Sequence, residues 1–147
     1  MRSAFKWVAI LIAAEVVIQA AAIGYAVFGE GKYIRDGHSV TKQNIENVSF
    51  SGVGGFVLHG INGTMVIPLL SLILIVLAFV VKLPGGVRAA AVILGMVVVQ
   101  VILGKAAVKV PILGALHGLL ALGIFAEAVR LAISVPKESP VVENRVG

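Results

Sequence analysis

Residues 54–81 read GGFVLHGINGTMVIPLLSLILIVLAFVV, with no Asp, Glu, Lys or Arg anywhere in the run. A helix needs roughly 20 apolar residues to cross a hydrocarbon core about 30 Å thick, and this stretch exceeds that length. It therefore reads as a transmembrane helix over 54–81. Pro68 inside it frees a backbone carbonyl one turn back, and Thr64 offers a hydroxyl to satisfy such a group.

Three more apolar runs flank it. One spans 5–28 and is expected to end at Gly29-Glu30-Gly31; the others span 87–103 and 111–133. Leu83-Pro84-Gly85-Gly86 reads as a tight turn. Pro111 stands in the first turn of the last run, where a helix accepts proline. The first run is too long for the apolar core of a signal peptide and is read as a retained helix.

Composition agrees with this pattern. The 147 residues are 59% hydrophobic and 13% charged, with mean hydropathy +1.06, whereas a soluble domain carries about twice that charge. The expected fold class is all-α, an integral membrane four-helix transmembrane bundle filling 1–134. An outer loop over 29–53 holds Lys32, Arg35, Asp36, His38, Lys42 and Glu46. Gly104 to Val110 reads as a short loop with Lys105 and Lys109. The tail 135–147, with Pro136 and Pro140, is expected to be disordered.

The net charge of +5 comes from basic residues scattered at membrane edges, not from a stripe that would track nucleic acid. Arg2, Lys6, Lys82, Arg88, Arg130, Lys137 and Arg145 fall on one side, and Lys32, Arg35, Lys42, Lys105 and Lys109 on the other. By the positive-inside rule the chain is expected as a multi-pass protein of the cell membrane with both termini cytoplasmic. The chain has no cysteine, which excludes disulfides, iron–sulfur clusters and thiolate metal sites.

Polar residues inside apolar runs are few. Glu15 and Gln19 are spaced i, i+4 and share one face of the first helix, which should turn toward the bundle because a lipid-facing carboxylate costs several kcal/mol. Gln100 is the strongly polar residue of the third helix. His59 and His117 each lie about five to seven residues into helices that run inward from the outer face, roughly 8–10 Å deep, so they share one layer. His38, set among loop charges, reads as a solvated side chain.

Two neutral imidazoles at one depth on facing helices are what axial ligation of a haem iron requires. Gly60 and Gly63 beside His59, with Gly114 and Gly118 around His117, offer bare helix surface for a flat macrocycle. Gln19 and Gln100 lie near the layer, and Arg35, Lys105 and Lys109 are placed to pair with propionates. Small residues at such spacing also serve plain helix packing, and a membrane histidine also serves as an interhelical hydrogen-bond partner. A zinc or copper site has only two good ligands, with Gln100 a poor third. No serine, acid and histidine group at one depth for hydrolysis.

The segments Val17-Ile18-Gln19-Ala20-Ala21, His59-Gly60, Pro68-Leu69-Leu70, Val99-Gln100-Val101 and Ala115-Leu116-His117 resemble a family of small four-helix bacterial membrane proteins of unassigned function. More distantly, the order of histidines resembles one four-helix half of the haem A synthases, in which histidines of the second and fourth helices ligate haem near the outer face. That resemblance implies ligand roles for His59 and His117. The synthase pattern has a glutamate three residues before the first histidine, where this chain has Phe56, and a cysteine pair that this chain lacks. Haem binding is thus the implied property, and an oxidative enzyme activity is not.

The expectation is a b-type haem protein with His59 and His117 as iron ligands, serving electron transfer or haem handling. Its partners would be the lipid bilayer, haem, and either a redox protein or a second copy of the chain. Two alternatives stay open, a cofactor-free structural or assembly subunit and a proton-coupled carrier using Glu15.

Overall fold

The computed structural model describes residues 1–41, 44 and 47–136. Lys42 and Glu46 of the outer loop, and 137–147 of the tail, lie outside the described residues. Four helices account for nearly all of the rest: α1 (Arg2–Arg35), α2 (Val53–Val81), α3 (Gly86–Ala107) and α4 (Ile112–Ser134). Each is long and apolar enough to cross a membrane. The all-helical class and the four-helix bundle expected from the sequence are what the structure shows.

The first helix is longer than the expected 5–28. Gly29 and Gly31 keep helical backbone, and the chain turns only at Gly37, where φ reaches +92°. A glycine ends a helix through a left-handed conformation, and neither of the earlier two adopts one. Gly29 serves close packing instead: a Cβ there would fall 1.8 Å from the Ser51 carbonyl oxygen. Lys32 and Arg35 sit in the last turn, where positive charge suits the helix dipole. The connection is therefore 36–52, not 29–53, and Arg35 belongs to α1.

The other boundaries shift less. The third helix runs past 103 to Ala107 and so takes in Lys105. Its Gly104 continues the helix because it packs on a side chain of α4. The last helix spans Ile112–Ser134. Val135, placed in the tail by the sequence reading, is buried in the core. The expected turn is present, with the Gly86 N–H donating to the Leu83 carbonyl at 3.0 Å and Gly85 at φ +74°.

Pro68 acts on α2 through a π-turn at Asn62–Val66, in which the Ile67 N–H reaches back five residues to the Asn62 carbonyl. Thr64 Oγ1 donates to the Gly60 carbonyl at 2.6 Å, and Ser71 Oγ to the Pro68 carbonyl at 2.8 Å. Neither hydroxyl replaces the bond from proline, whose missing N–H would have reached the Thr64 carbonyl, so the expected use of the Thr64 hydroxyl for the freed group is not what forms. The shifted register carries the helix past Pro68.

Around the bundle each helix packs on its neighbours in sequence, and α4 closes the ring on α1. Consequently α2 and α4 face each other across a diagonal. From Ile67 onward α2 packs on both α1 and α3; before the π-turn, Val53–Ile61 packs chiefly on α1. The end of the bundle that holds the N-terminus is a close apolar core of Phe5, Ile12, Leu74, Ile93, Ala128 and Leu131. Alanines at 9, 78 and 90 are buried there too and let the helices approach closely. Outward faces carry large exposed apolar side chains such as Leu69, Phe79, Ile102 and Leu119, as lipid contact demands.

Candidate functional site

Toward the other end the packing opens. The outer half of α2 is pressed onto α1 by glycines: a Cβ on Gly52 would meet the Tyr25 carbonyl oxygen at 2.5 Å, and one on Gly55 the Ala22 carbonyl oxygen at 2.4 Å. This tight seam sets His59 beside Gln19. The His59 ring shares a hydrogen bond between Nδ1 and the Gln19 backbone carbonyl, 3.2 Å, and the Gln19 side-chain Nε2 donates to the His59 carbonyl, 3.1 Å.

The other half of the bundle repeats the arrangement. His117 Nδ1 lies 3.1 Å from the Gln100 backbone carbonyl. In each case a histidine on an even-numbered helix is held by the main chain of a glutamine on the helix before it. A backbone carbonyl only accepts, so Nδ1 must carry the proton in both rings. Nε2 is then the nitrogen with a free lone pair, and among the described residues neither Nε2 has a hydrogen-bond partner.

The two rings meet across the diagonal with centroids 6.1 Å apart and planes inclined by 58°. Two imidazoles bound trans to one ion through metal–nitrogen bonds of about 2.0–2.1 Å hold their centroids roughly 6–6.5 Å apart. The observed spacing meets that requirement. Both rings line a cavity of about 440 Å³ with walls from all four helices, within the range of roughly 300–1,000 Å³ usual for small-molecule and cofactor sites.

The sequence-derived residues divide cleanly. Gln19, His59, Gly60, Gly63, Gln100, Lys105, His117 and Gly118 all line the cavity. Gly114 does not; it packs near Ala107 of α3, 3.8 Å from where its Cβ would stand. Arg35 does not either, because α1 carries it sixteen residues, about 24 Å, beyond Gln19 along the helix axis. His38 stacks on Tyr33 with centroids 4.4 Å apart and is exposed, far from the other histidines in role.

Gly104 escaped the sequence reading. It lies on the cavity wall, and a Cβ there would stand 3.0 Å from His117 Cε1 and 3.2 Å from Nδ1. Its spacing from Gln100, i+4 on one helix face, was the available signal. Asn62, inside the π-turn, is the second omission: it is buried and its Nδ2 donates to Glu15 at 2.6 Å. Glu15 thus forms a second polar rung between α1 and α2, one turn below the Gln19–His59 rung.

Two features of the wall suit haem. Gly60 and Gly118 border open space into which a Cβ would project, which leaves wall for a flat ring. Lys105, exposed, adds a cation to the lining. Among the described residues the side-chain oxygens of Gln19 and Gln100 are buried without donors, and haem offers none. Among the described residues no group of three or more His, Cys, Asp or Glu converges on a metal position. Compared with family models, curated proteins and solved structures, the chain matches none.

Proposed function

We propose that this chain is a membrane-embedded b-type haem protein in which His59 and His117 are the axial ligands, serving one-electron transfer or haem handling. The observation that carries the reading is the matched pair of rings, 6.1 Å apart on the wall of one cavity, each with Nδ1 occupied by a main-chain carbonyl and Nε2 free. Fixing the tautomer through a hydrogen bond on the far nitrogen is how ligating histidines are ordinarily oriented.

Haem bound there supplies the redox couple; the chain supplies orientation and exclusion of water. The main chains of Gln19 and Gln100 hold the two rings, Gly60 and Gly118 leave room for the ring plane, Gly63 instead packs on the Gln19 side chain, and Lys105 offers its ammonium to a propionate. The apolar half of the bundle below closes the site from the other aqueous side. With the termini in the cytoplasm, as the basic residues favour, the site opens nearer the outer face and serves a partner there. Single cysteines at Ser3 and Ser51 should then react with an impermeant reagent from the inside and the outside respectively.

A visible spectrum of the purified protein tests the reading. A Soret band with sharp reduced α and β bands is the expected result, lost in both His59→Ala and His117→Ala and kept in His38→Ala. In a cofactor-free subunit the two histidines would only bridge helices, each worth roughly 0.6–2 kcal/mol. A colourless, folded protein that haemin does not reconstitute would establish that role instead.

A further inference from the structure

Among the described residues two buried side-chain acceptors have no donor, the oxygens Oε1 of Gln19 and Gln100. The orientation of the Gln19 amide is fixed by its other end, since Nε2 faces the His59 carbonyl at 3.1 Å and that atom only accepts. Gln100 makes no side-chain hydrogen bond among the described residues, and its main chain alone holds His117. Buried polar atoms are nearly always paired, so two orphans of one kind, one beside each histidine, call for an explanation.

Both side chains line the cavity. Apart from His59, Thr64, Lys105 and His117 the remaining lining is apolar, and none of these four donates to either amide oxygen. Lys105 is exposed and its charge is screened by solvent. We infer that the unpaired oxygens of Gln19 and Gln100 make the cavity favour the oxidised over the reduced state of its occupant, and so act as the residues that set the reduction potential. This rests on the haem reading above.

A ferric centre carries one positive charge more than a ferrous one. Carbonyl dipoles in a low-dielectric wall hold the ferric form more tightly, because little water screens them. The couple, one electron in and none of the chain's bonds broken, is therefore biased toward the oxidised side; hydrogen bonding and burial around the ligands are established levers on such potentials. Gln19 and Gln100 act here as positioning residues through field rather than through a bond to iron.

The test is a spectroelectrochemical titration of the reconstituted full chain, using a dithionite-reducible mediator set, for wild type, Gln100→Leu and Gln19→Leu. Gln100→Leu breaks no hydrogen bond of its own side chain and should fold as wild type does. It is expected to raise the ferrous-to-ferric ratio at fixed potential about tenfold, a midpoint shift of about 59 mV for one electron. Gln19→Leu should move the midpoint the same way. An unchanged midpoint in Gln100→Leu with an intact low-spin spectrum overturns the inference and leaves haem binding standing. A wild-type chain that takes up no haem overturns both.

Discussion

The two halves of this bundle solve opposite problems with the same kinds of helix. Near the N-terminus, Phe5, Ile12, Leu74 and Ile93 interdigitate with buried alanines, and the buried Ser71 hydroxyl is satisfied within its own helix. Near the histidines the helices keep their polar groups, glycines stand where side chains would fill space, and a cavity remains. Close packing is what lipid-embedded helices gain from association, since lipid is as apolar as leucine. The half near the histidines forgoes that gain and, among the described residues, buries two unpaired amide oxygens.

If the division is real, changes in the two halves should read out differently. The largest energetic effect belongs to the closed half: Leu74→Ala should lower stability by about 2–5 kcal/mol, as loss of a fully buried leucine does, while haem affinity per folded molecule is unchanged. Thermal unfolding in detergent, followed beside haemin titration, measures both. Equal loss of affinity and stability would mean that the halves are not separable.

A smaller effect is expected at Gly104. Alanine there must displace the His117 ring, since the Cβ would stand 3.0 Å from Cε1, and haem affinity should fall about tenfold, or 1.4 kcal/mol. Gly95→Ala, which meets open space, is the matched control and should leave affinity alone. Equal affinities in the two variants would remove Gly104 from the site.

The smallest effect lies outside both halves. Lys32 donates to Asp36 at the end of α1, and this hydrogen bond, aided by the charges of Lys32, His38 and Arg35, holds the Asp36 carboxyl below its ordinary value of 3.8. A depressed folded-state value means that the contribution is full above that ordinary value and is lost as the pH falls through the lowered one. Protection factors of amides at the end of α1, corrected for the intrinsic exchange rate, should fall below pH 4 in wild type and show no such acid step in Asp36→Asn. Identical acid profiles would show that the pair adds nothing.

Much of the fold was legible because membrane helices announce themselves by length and lack of charge, as the run over 54–81 does. The common depth of His59 and His117 followed from counting residues along helices that run in the same direction. Helix ends were less legible. Gly29 looks like a terminator in sequence, yet its missing Cβ answers to Ser51 across the α1–α2 seam, a tertiary reason that no local pattern carries. Arg35 was misplaced by the same error, since extending α1 moved it away from the layer of the histidines. The main-chain carbonyls that hold both rings were invisible for another reason. Every residue has one, and only the packing decides which are used.

The central claim is that one haem is held between His59 and His117. Titration of the purified full chain with haemin, followed by electron paramagnetic resonance of the ferric form, addresses it most directly. The account expects saturation at one haem per chain with a low-spin signal, converted to high-spin or lost in each of His59→Ala and His117→Ala. A low-spin signal that survives either substitution unchanged, or a folded chain that binds no haem at all, would contradict it.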